Sequence, residues 1–339
     1  MFSSDYQEGC HPAILQRLNE HNFTPTSGYG EDPISDCAKA KIREAIGCPG
    51  AHVQFVIGGT QANALVIANL LRPYESVISP DTGHINGHES GAVEASGHKI
   101  LTLKSKDGKI TAEAIDAFMS RFLLDDAREH MTQPGLVYIS LPTESGTLYS
   151  LDELVSIREV TKKYELKLFV DGARLAYALG TKGNTVTLKD LSRNADAFYI
   201  GGTKCGALFG EAVVFPDPAN AKHFFALTKQ RGALLAKGWL LGLQFDALFT
   251  DGLYESIGVK AVALADRIRR TLADRGYSLV FGSPTNQLFV CLEDDVYRRI
   301  SEAAVVTYWG KPDECHTIAR ICTSWATTEE AVEALLKLF

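Results

Sequence analysis

No two cysteines in this chain form a Cys-X-X-Cys pair or stand at zinc-ligand spacing. The seven present (Cys10, Cys37, Cys48, Cys205, Cys291, Cys315 and Cys322) are odd in number and scattered. That argues against a disulfide framework and a cysteine-built zinc site, and fits free thiols in a reducing compartment. No apolar run approaches the roughly 20 residues that a membrane helix requires. Residues 1–8 hold neither a basic stretch nor an apolar core, so no secretory signal is expected. Positive charge is in deficit. A net charge of -7 argues against nucleic acid or an anionic membrane as the main partner. Internal repeats and low-complexity segments are also missing. What remains is an ordinary globular composition, 45% hydrophobic and 22% charged, over 339 residues. That length has room for one large domain and a smaller one, and the expected location is the cytoplasm.

Strands and helices alternate through the first two-thirds. Apolar, β-rich runs predict strands over 52–57, 76–79, 99–103, 136–141, 168–170, 197–200 and 212–215. Helices are predicted over 60–71, 112–124 and 151–164, the last opened by a capping box of Ser150 and Glu153. Such alternation predicts an α/β fold, a mostly parallel sheet covered by helices on both faces. After Pro216 and Pro218 the pattern changes to long helices over 219–274, broken near Asp251-Gly252. Strands over 288–292, 304–308 and 317–322 follow, then a last helix from Thr327 with a second capping box, Thr327 and Glu330. The expected organisation is a segment 1–15 joining the small domain or the edge of the site, a large domain 16–245, and a small α+β domain 246–339.

Two strand ends carry the chemistry. One run, from Leu168 to Arg174, places Asp171 where a strand gives way to a loop; the next, from Phe198, ends in Gly202-Thr203-Lys204. Ligands of parallel α/β sheets collect at such carboxyl ends. Either residue alone reads as a solvated loop charge. Together, a strand-end carboxylate and a strand-end amine suit a pyridoxal phosphate enzyme. The amine forms a Schiff base with the aldehyde, and the carboxylate keeps the ring nitrogen protonated. Gly58-Gly59-Thr60 before a helix supplies a phosphate cradle of free N–H groups and a hydroxyl, neither a Walker loop nor a GxGxxG turn. His84 and His88, four apart, admit a zinc reading, but Gly83 and Gly87 disfavour a regular helix there. An imidazole stacked on a flat ring is the alternative.

At this point the chain resembles the low-specificity L-threonine aldolases of the aromatic amino acid β-eliminating lyase/threonine aldolase superfamily. The residues that carry the resemblance are Ser4-Asp5, Tyr29-Gly30-Glu31-Asp32, Gly59 to Asn63, His84 with Glu89, Asp171 to Arg174, Gly202-Thr203-Lys204, Thr285-Asn286 and Arg320. It implies pyridoxal 5'-phosphate as cofactor and a fold-type-I transferase-like architecture with a smaller C-terminal domain. It also implies roles: Lys204 as the Schiff-base lysine, Asp171 at the ring nitrogen, His84 stacked on the ring, and Gly59, Thr60 and Thr203 near the phosphate end. Arg174 and Arg320 would grip the substrate carboxylate, a task suited to guanidinium, with Ser4 close by. Glu89 would lie near the reacting side chain. A homotetramer with shared sites is implied, with Lys229, Arg231 and above all Lys237 as candidates to reach the neighbour's phosphate. The chain departs from the family pattern at Gly58 (commonly Ser), Tyr6 (commonly Thr), the segment 229–237, and Cys205-Gly206 (often Gly-Leu).

The expected reaction is retro-aldol cleavage of L-threonine, L-allo-threonine or a related β-hydroxy-α-amino acid to glycine and an aldehyde. His84, or a water held by His84 and Glu89, is the candidate base for the β-hydroxyl. Rival readings are β-elimination, transamination or racemisation on the same cofactor, a non-catalytic protein that holds it, and a nucleotide-binding α/β protein. No protein-bound metal is expected.

Overall fold

Seven strands form the larger sheet of a computed structural model that describes all of Met1–Phe339. They are β1 (His52–Val56), β2 (Glu75–Pro80), β3 (Ile100–Leu103), β4 (Gln133–Ser140), β5 (Lys167–Asp171), β6 (Ala197–Gly201) and β7 (Glu211–Phe215). Their spatial order is β1-β7-β6-β5-β4-β2-β3. The five from β2 to β6 are parallel, while β7 runs against both β6 and β1. Alternate residues of β5 and β6 feed two different cores. Leu168, Val170, Phe198 and Ile200 pack on one face, and Phe169, Ala197 and Tyr199 on the other. Helices cover both faces, which is why these strands read as unbroken apolar runs.

A second, antiparallel sheet follows: β8 (Ser278–Leu279), β9 (Gln287–Glu293), β10 (Thr307–Gly310) and β11 (His316–Cys322), in the order β10-β11-β9-β8. It packs with Leu264, Ile268 and Leu272 of the Leu253–Asp274 helix into a third core. Earlier on the same helix, Tyr254 and Ile257 belong to the large core. Any division of the chain near 245–246 therefore has this helix as a shared strut. Phe2 is buried in the small core, and its carbonyl accepts from Cys322 N–H. The chain thus starts on the small unit before it builds the large one.

Two local expectations need correction. The last helix is Glu329–Leu336, and its cap is Thr328, whose side chain accepts from Ala331 N–H. Thr327 is instead turned back to accept from Ser324 N–H at 2.8 Å, so no Thr327–Glu330 capping box forms. The stretch 219–274 is not continuous helix up to Asp251-Gly252. It holds Phe224–Gln230, an irregular connection, Trp239–Leu248 and Leu253–Asp274. Gly238 ends the connection because a Cβ there would collide with the Gly30 backbone.

The Leu253–Asp274 helix also crosses the short Leu175–Leu179 helix at Gly258, where a Cβ would overlap Ala176 O and C. Gly258→Ala is expected to destabilise the protein by about 2–3 kcal/mol. Gly9→Ala, with nothing within 4 Å, should stay within about 0.5 kcal/mol of the parent. Denaturant midpoints of the two variants check this, and equal midpoints would refute the close-crossing argument.

Candidate active site

Because β4, β5 and β6 run parallel, their carboxyl ends meet along one edge, with Ser140 the register partner of Asp171. A cleft of about 330 Å³ opens there. Gly59, Thr60, His84, Asp171, Arg174, Thr203 and Lys204 all line it. So do Glu144 and Glu211, two carboxyls that the sequence reading did not single out, and Tyr6.

Asp171 is the most heavily supported group. Oδ1 accepts from Tyr199 Oη at 2.5 Å and Ala173 N–H at 2.9 Å, and Oδ2 from Tyr138 Oη at 2.7 Å and Asn63 Nδ2 at 3.0 Å. Burial opposes its charge. His84 nearby and these hydrogen bonds outweigh burial and hold the carboxyl below its ordinary range. The same environment pushes both tyrosines well above theirs, burial first and the Asp171 charge next. They are therefore donors, not acids.

His84 sits in a single helical turn, His84–Gly87, capped by Gly83 and His88. A turn does form despite the two glycines, and its histidine rings lie 5.7 Å apart. No three His, Cys, Asp or Glu side chains gather at metal-ligand geometry. Instead His84 Nδ1 lies 2.7 Å from Glu89 Oε1, a buried oxygen that also accepts from Asn63 Nδ2 at 2.7 Å. Glu89 itself does not line the cleft; it stands behind the imidazole. In the neutral tautomer that keeps its hydrogen on Nδ1, facing Glu89, Nε2 is the ring's open acceptor.

Lys204 follows β6 in a tight turn. Thr203 N–H donates to Gly210 O at 3.1 Å, Thr203 Oγ1 accepts from Gly210 N–H at 3.0 Å, and the Lys204 carbonyl accepts from Tyr177 Oη at 2.5 Å. Its Nζ stands 5.9 Å from the centroid of the exposed Tyr6 ring. The adjacent Cys205 is fully buried, which pushes its thiol up to about 12 and leaves it a packing group. At the far end of the cleft, Gly58 opens the Gly59–Leu70 helix without a side-chain cap, and the first intrahelical bond is made by Ala62 N–H. The N–H groups of Gly59, Thr60 and Gln61 are thus left for a ligand. An anion-receiving helix start, an ionised buried carboxylate and a primary amine on one cleft fit pyridoxal 5'-phosphate.

The remaining expected residues are placed differently. Arg174 is already engaged: Nε donates to Asp5 Oδ2 at 2.6 Å and Nη2 to Oδ1 at 3.1 Å, leaving Nη1 as its open donor. Asp5 is fully buried. Arg174 and Lys204 overcome the burial and hold it below its ordinary range. Ser4 is buried beside it with an unpartnered hydroxyl. Arg320 does not line the cleft; Nη2 donates to Ser3 O at 2.9 Å, and the guanidinium lies 5.2 Å from the Trp309 ring centroid. Lys237 is exposed in a separate depression with Thr24 and Leu240, away from the cleft of its own chain.

Residues 2–275 match the beta-eliminating lyase family model. A low-specificity L-threonine aldolase from a Pseudomonas species is 30% identical over 98% of this chain and 95% of its own length. A threonine aldolase structure from Leishmania major superposes with a TM-score of 0.96 at 40% identity, over 99% of this chain and 97% of that one. Aspartate aminotransferase from Thermus thermophilus shares the fold at a TM-score of 0.73 and 14% identity, covering 99% of this chain and 89% of that one.

Glu211, at the start of β7, generates a prediction about stability. Oε2 accepts from Gly202 N–H at 3.0 Å, and burial raises the carboxyl from 4.5 to about 8. Its contribution is then fully present below pH 4.5 and is lost as pH rises to about 8. Glu211→Gln keeps the acceptor but has no charge to bury. Its stability relative to the parent is expected to improve between pH 5 and pH 9, by up to a few kcal/mol, in urea midpoints. Parallel stability curves would refute a neutral Glu211.

Proposed function

Since the chain belongs to the beta-eliminating lyase family, on its low-specificity L-threonine aldolase branch, we propose that it cleaves L-threonine, L-allo-threonine or a related β-hydroxy-α-amino acid to glycine and an aldehyde. It is a pyridoxal 5'-phosphate-dependent lyase. The observation that carries the reading is the meeting on one cleft wall of Lys204, the four-donor Asp171 carboxylate and the Glu89-oriented His84. When bound, the cofactor supplies an electron sink for the bond broken at the substrate's α-carbon.

The chain's own groups do the rest. Lys204 Nζ is the amine that would hold the cofactor's aldehyde. The N–H groups of Gly59 and Thr60, with Thr203 nearby, take the phosphate end. Asp171 would accept from the ring nitrogen. Arg174, through Nη1 and with Ser4 close by, would bind the substrate carboxylate and orient its α-carbon, which is catalysis by orientation; Arg320 stands outside the cleft lining and would have to leave Ser3 O to share that carboxylate. His84 would lie against the ring and, directly or through a water held with Glu89, would receive the β-hydroxyl proton at Nε2. That ring is poised for it because Nδ1 is committed to Glu89.

We also read the molecule as a cytoplasmic homotetramer in which Lys237 reaches the neighbour's phosphate; its exposure away from its own cleft supports that reading. No helix is long and apolar enough to cross a membrane. The rival reaction is β-elimination, the activity from which the family takes its name.

Two measurements test these assignments. Purified protein given L-threonine or L-allo-threonine is expected to release glycine and acetaldehyde. Lys204→Ala should lose the yellow absorbance of covalently held cofactor and at least about a thousandfold of turnover. Pyruvate from serine, or phenol from tyrosine, without aldehyde from threonine would move the assignment to β-elimination. Separately, light scattering should give four times the chain mass. Lys237→Ala should then raise the cofactor dissociation constant about tenfold, a loss of about 1.4 kcal/mol. A monomer with unchanged affinity would remove Lys237 from the site.

A further inference from the structure

Counting protons along the cleft wall leads to Glu144. Its Oε1 accepts from the backbone N–H of His84 at 2.8 Å and lies 2.7 Å from Ser140 Oγ. Ser140 Oγ is also 3.1 Å from Tyr138 Oη, which in turn lies 2.7 Å from Asp171 Oδ2. Three contacts therefore join four oxygens, and the two hydroxyls bring only two hydrogens. Asp171 is ionised, so Tyr138 spends its hydrogen there. The Tyr138 oxygen then accepts from Ser140. With its only hydrogen used, Ser140 can hydrogen-bond Glu144 only if Glu144 is the donor. An ionised Glu144 would take the Ser140 hydrogen and leave the Tyr138–Ser140 contact without one.

The groups facing Glu144 point the same way: Asp171 from β5 is acidic, and Tyr138 from β4 and Tyr149 beyond it are held neutral by burial. His84 offers it a backbone N–H. Burial, and after it the Asp171 charge, raises this carboxyl above its ordinary range.

We propose that Glu144 carries a proton in the resting site and acts as a positioning residue, connected through Ser140 and Tyr138 to the carboxylate that serves the cofactor's ring nitrogen. The relay can shift by one place. Glu144 gives its proton to Ser140 Oγ, Ser140 gives its own to Tyr138 Oη, and Tyr138 gives its own to Asp171 Oδ2. Three O–H bonds break, three form, and the charge moves from Asp171 to Glu144 with no change in total. A buried carboxylate can thus adjust its charge without admitting water.

The test uses the full-length protein loaded with pyridoxal phosphate, and reads the pH dependence of its visible absorbance, not its turnover. Glu144→Gln keeps an acceptor for His84 N–H and a donor for Ser140 but has no proton to give. Its absorbance midpoint is expected to move by about one pH unit from the parent's, a tenfold change in proton affinity. Ser140→Ala, which cuts the relay, should move the midpoint by a similar amount, and Ser140→Thr, which restores a hydroxyl, should bring it back. A Glu144→Gln titration that superimposes on the parent overturns the proposal. So does a Ser140→Ala titration that stays at the parent's midpoint, since Glu144 would then act by its field alone. If Glu144→Gln fails to fold or to bind the cofactor, the Ser140 pair decides by the same criterion. The inference rests on the cofactor site described above, and the failures are distinguishable. A protein that never turns yellow overturns that site, whereas a yellow protein with unmoved midpoints overturns only the relay.

Discussion

Everything at this cleft depends on keeping one carboxylate, Asp171, charged in a place from which water is excluded. Burying an ion costs several kcal/mol unless donors replace its hydration. Here the replacements come from four different places: Tyr138 on β4, Tyr199 on β6, Asn63 on the helix after β1, and the backbone of Ala173. That requirement fixes much of the architecture. The strands must be parallel and in register for Tyr138 and Tyr199 to flank Asp171, and the helix behind the glycine turn must lie close enough for Asn63. Asn63 then spends its other hydrogen on Glu89, which orients His84. Asp171 and the carboxylate that orients His84 are thus held by one amide side chain.

A buried ion pair does the corresponding work between the two structural units. Arg174 of the large unit is gripped in two places by Asp5, and Asp5 also accepts from Asn286 Nδ2 of the small unit at 3.0 Å. Phe2 meanwhile is packed in the small core. The N-terminal segment is therefore a strap whose one end is anchored by hydrophobic burial and whose other end sets a guanidinium on the cleft wall. Breaking such a pair on one side leaves an uncompensated charge and costs more than the pair itself gains. Next along the strap, the exposed Tyr6 ring lies 5.9 Å from Lys204 Nζ.

Much of this was legible in the sequence, and the illegible part has a consistent character. Buried parallel strands show as apolar runs, so the positions of β1 to β7 could be read, and with them Asp171 and Lys204, because a polar residue at the end of an apolar run is conspicuous. The reversal of β7 leaves no local trace; strand direction depends on a connection, not on periodicity. Glu144 and Glu211 were missed because an acid in a loop, or at the start of a strand, ordinarily reads as solvated. Only the fold shows that both face the cleft. The cap of the final helix was misplaced by one residue because Thr327 and Thr328 carry the same capping group, and a tertiary bond to Ser324 decides between them. Arg320 and Ser4 were legible as types. Their present partners, Ser3 and Trp309 for Arg320, were not.

The acids around the cleft also explain one another. Had Glu144, Glu211 and Asp171 all been ionised, their mutual repulsion would have raised the carboxyl that most needs to stay charged. The structure separates them by surroundings. Asp171 receives four donors. Glu211, deeply buried, receives the Gly202 N–H and is pushed up to about 8. Glu144 has one oxygen with no partner at all and is raised as well. Environments that push acids apart assign them separate roles. The two raised carboxyls shape the walls and can hold or release a proton, while the lowered one is kept charged, as the proposed role at a ring nitrogen requires. On that argument the departures from solvated-loop behaviour at Glu144 and Glu211 are conditions for Asp171 to function, and the three carboxyls are better understood as one titrating system than as separate residues.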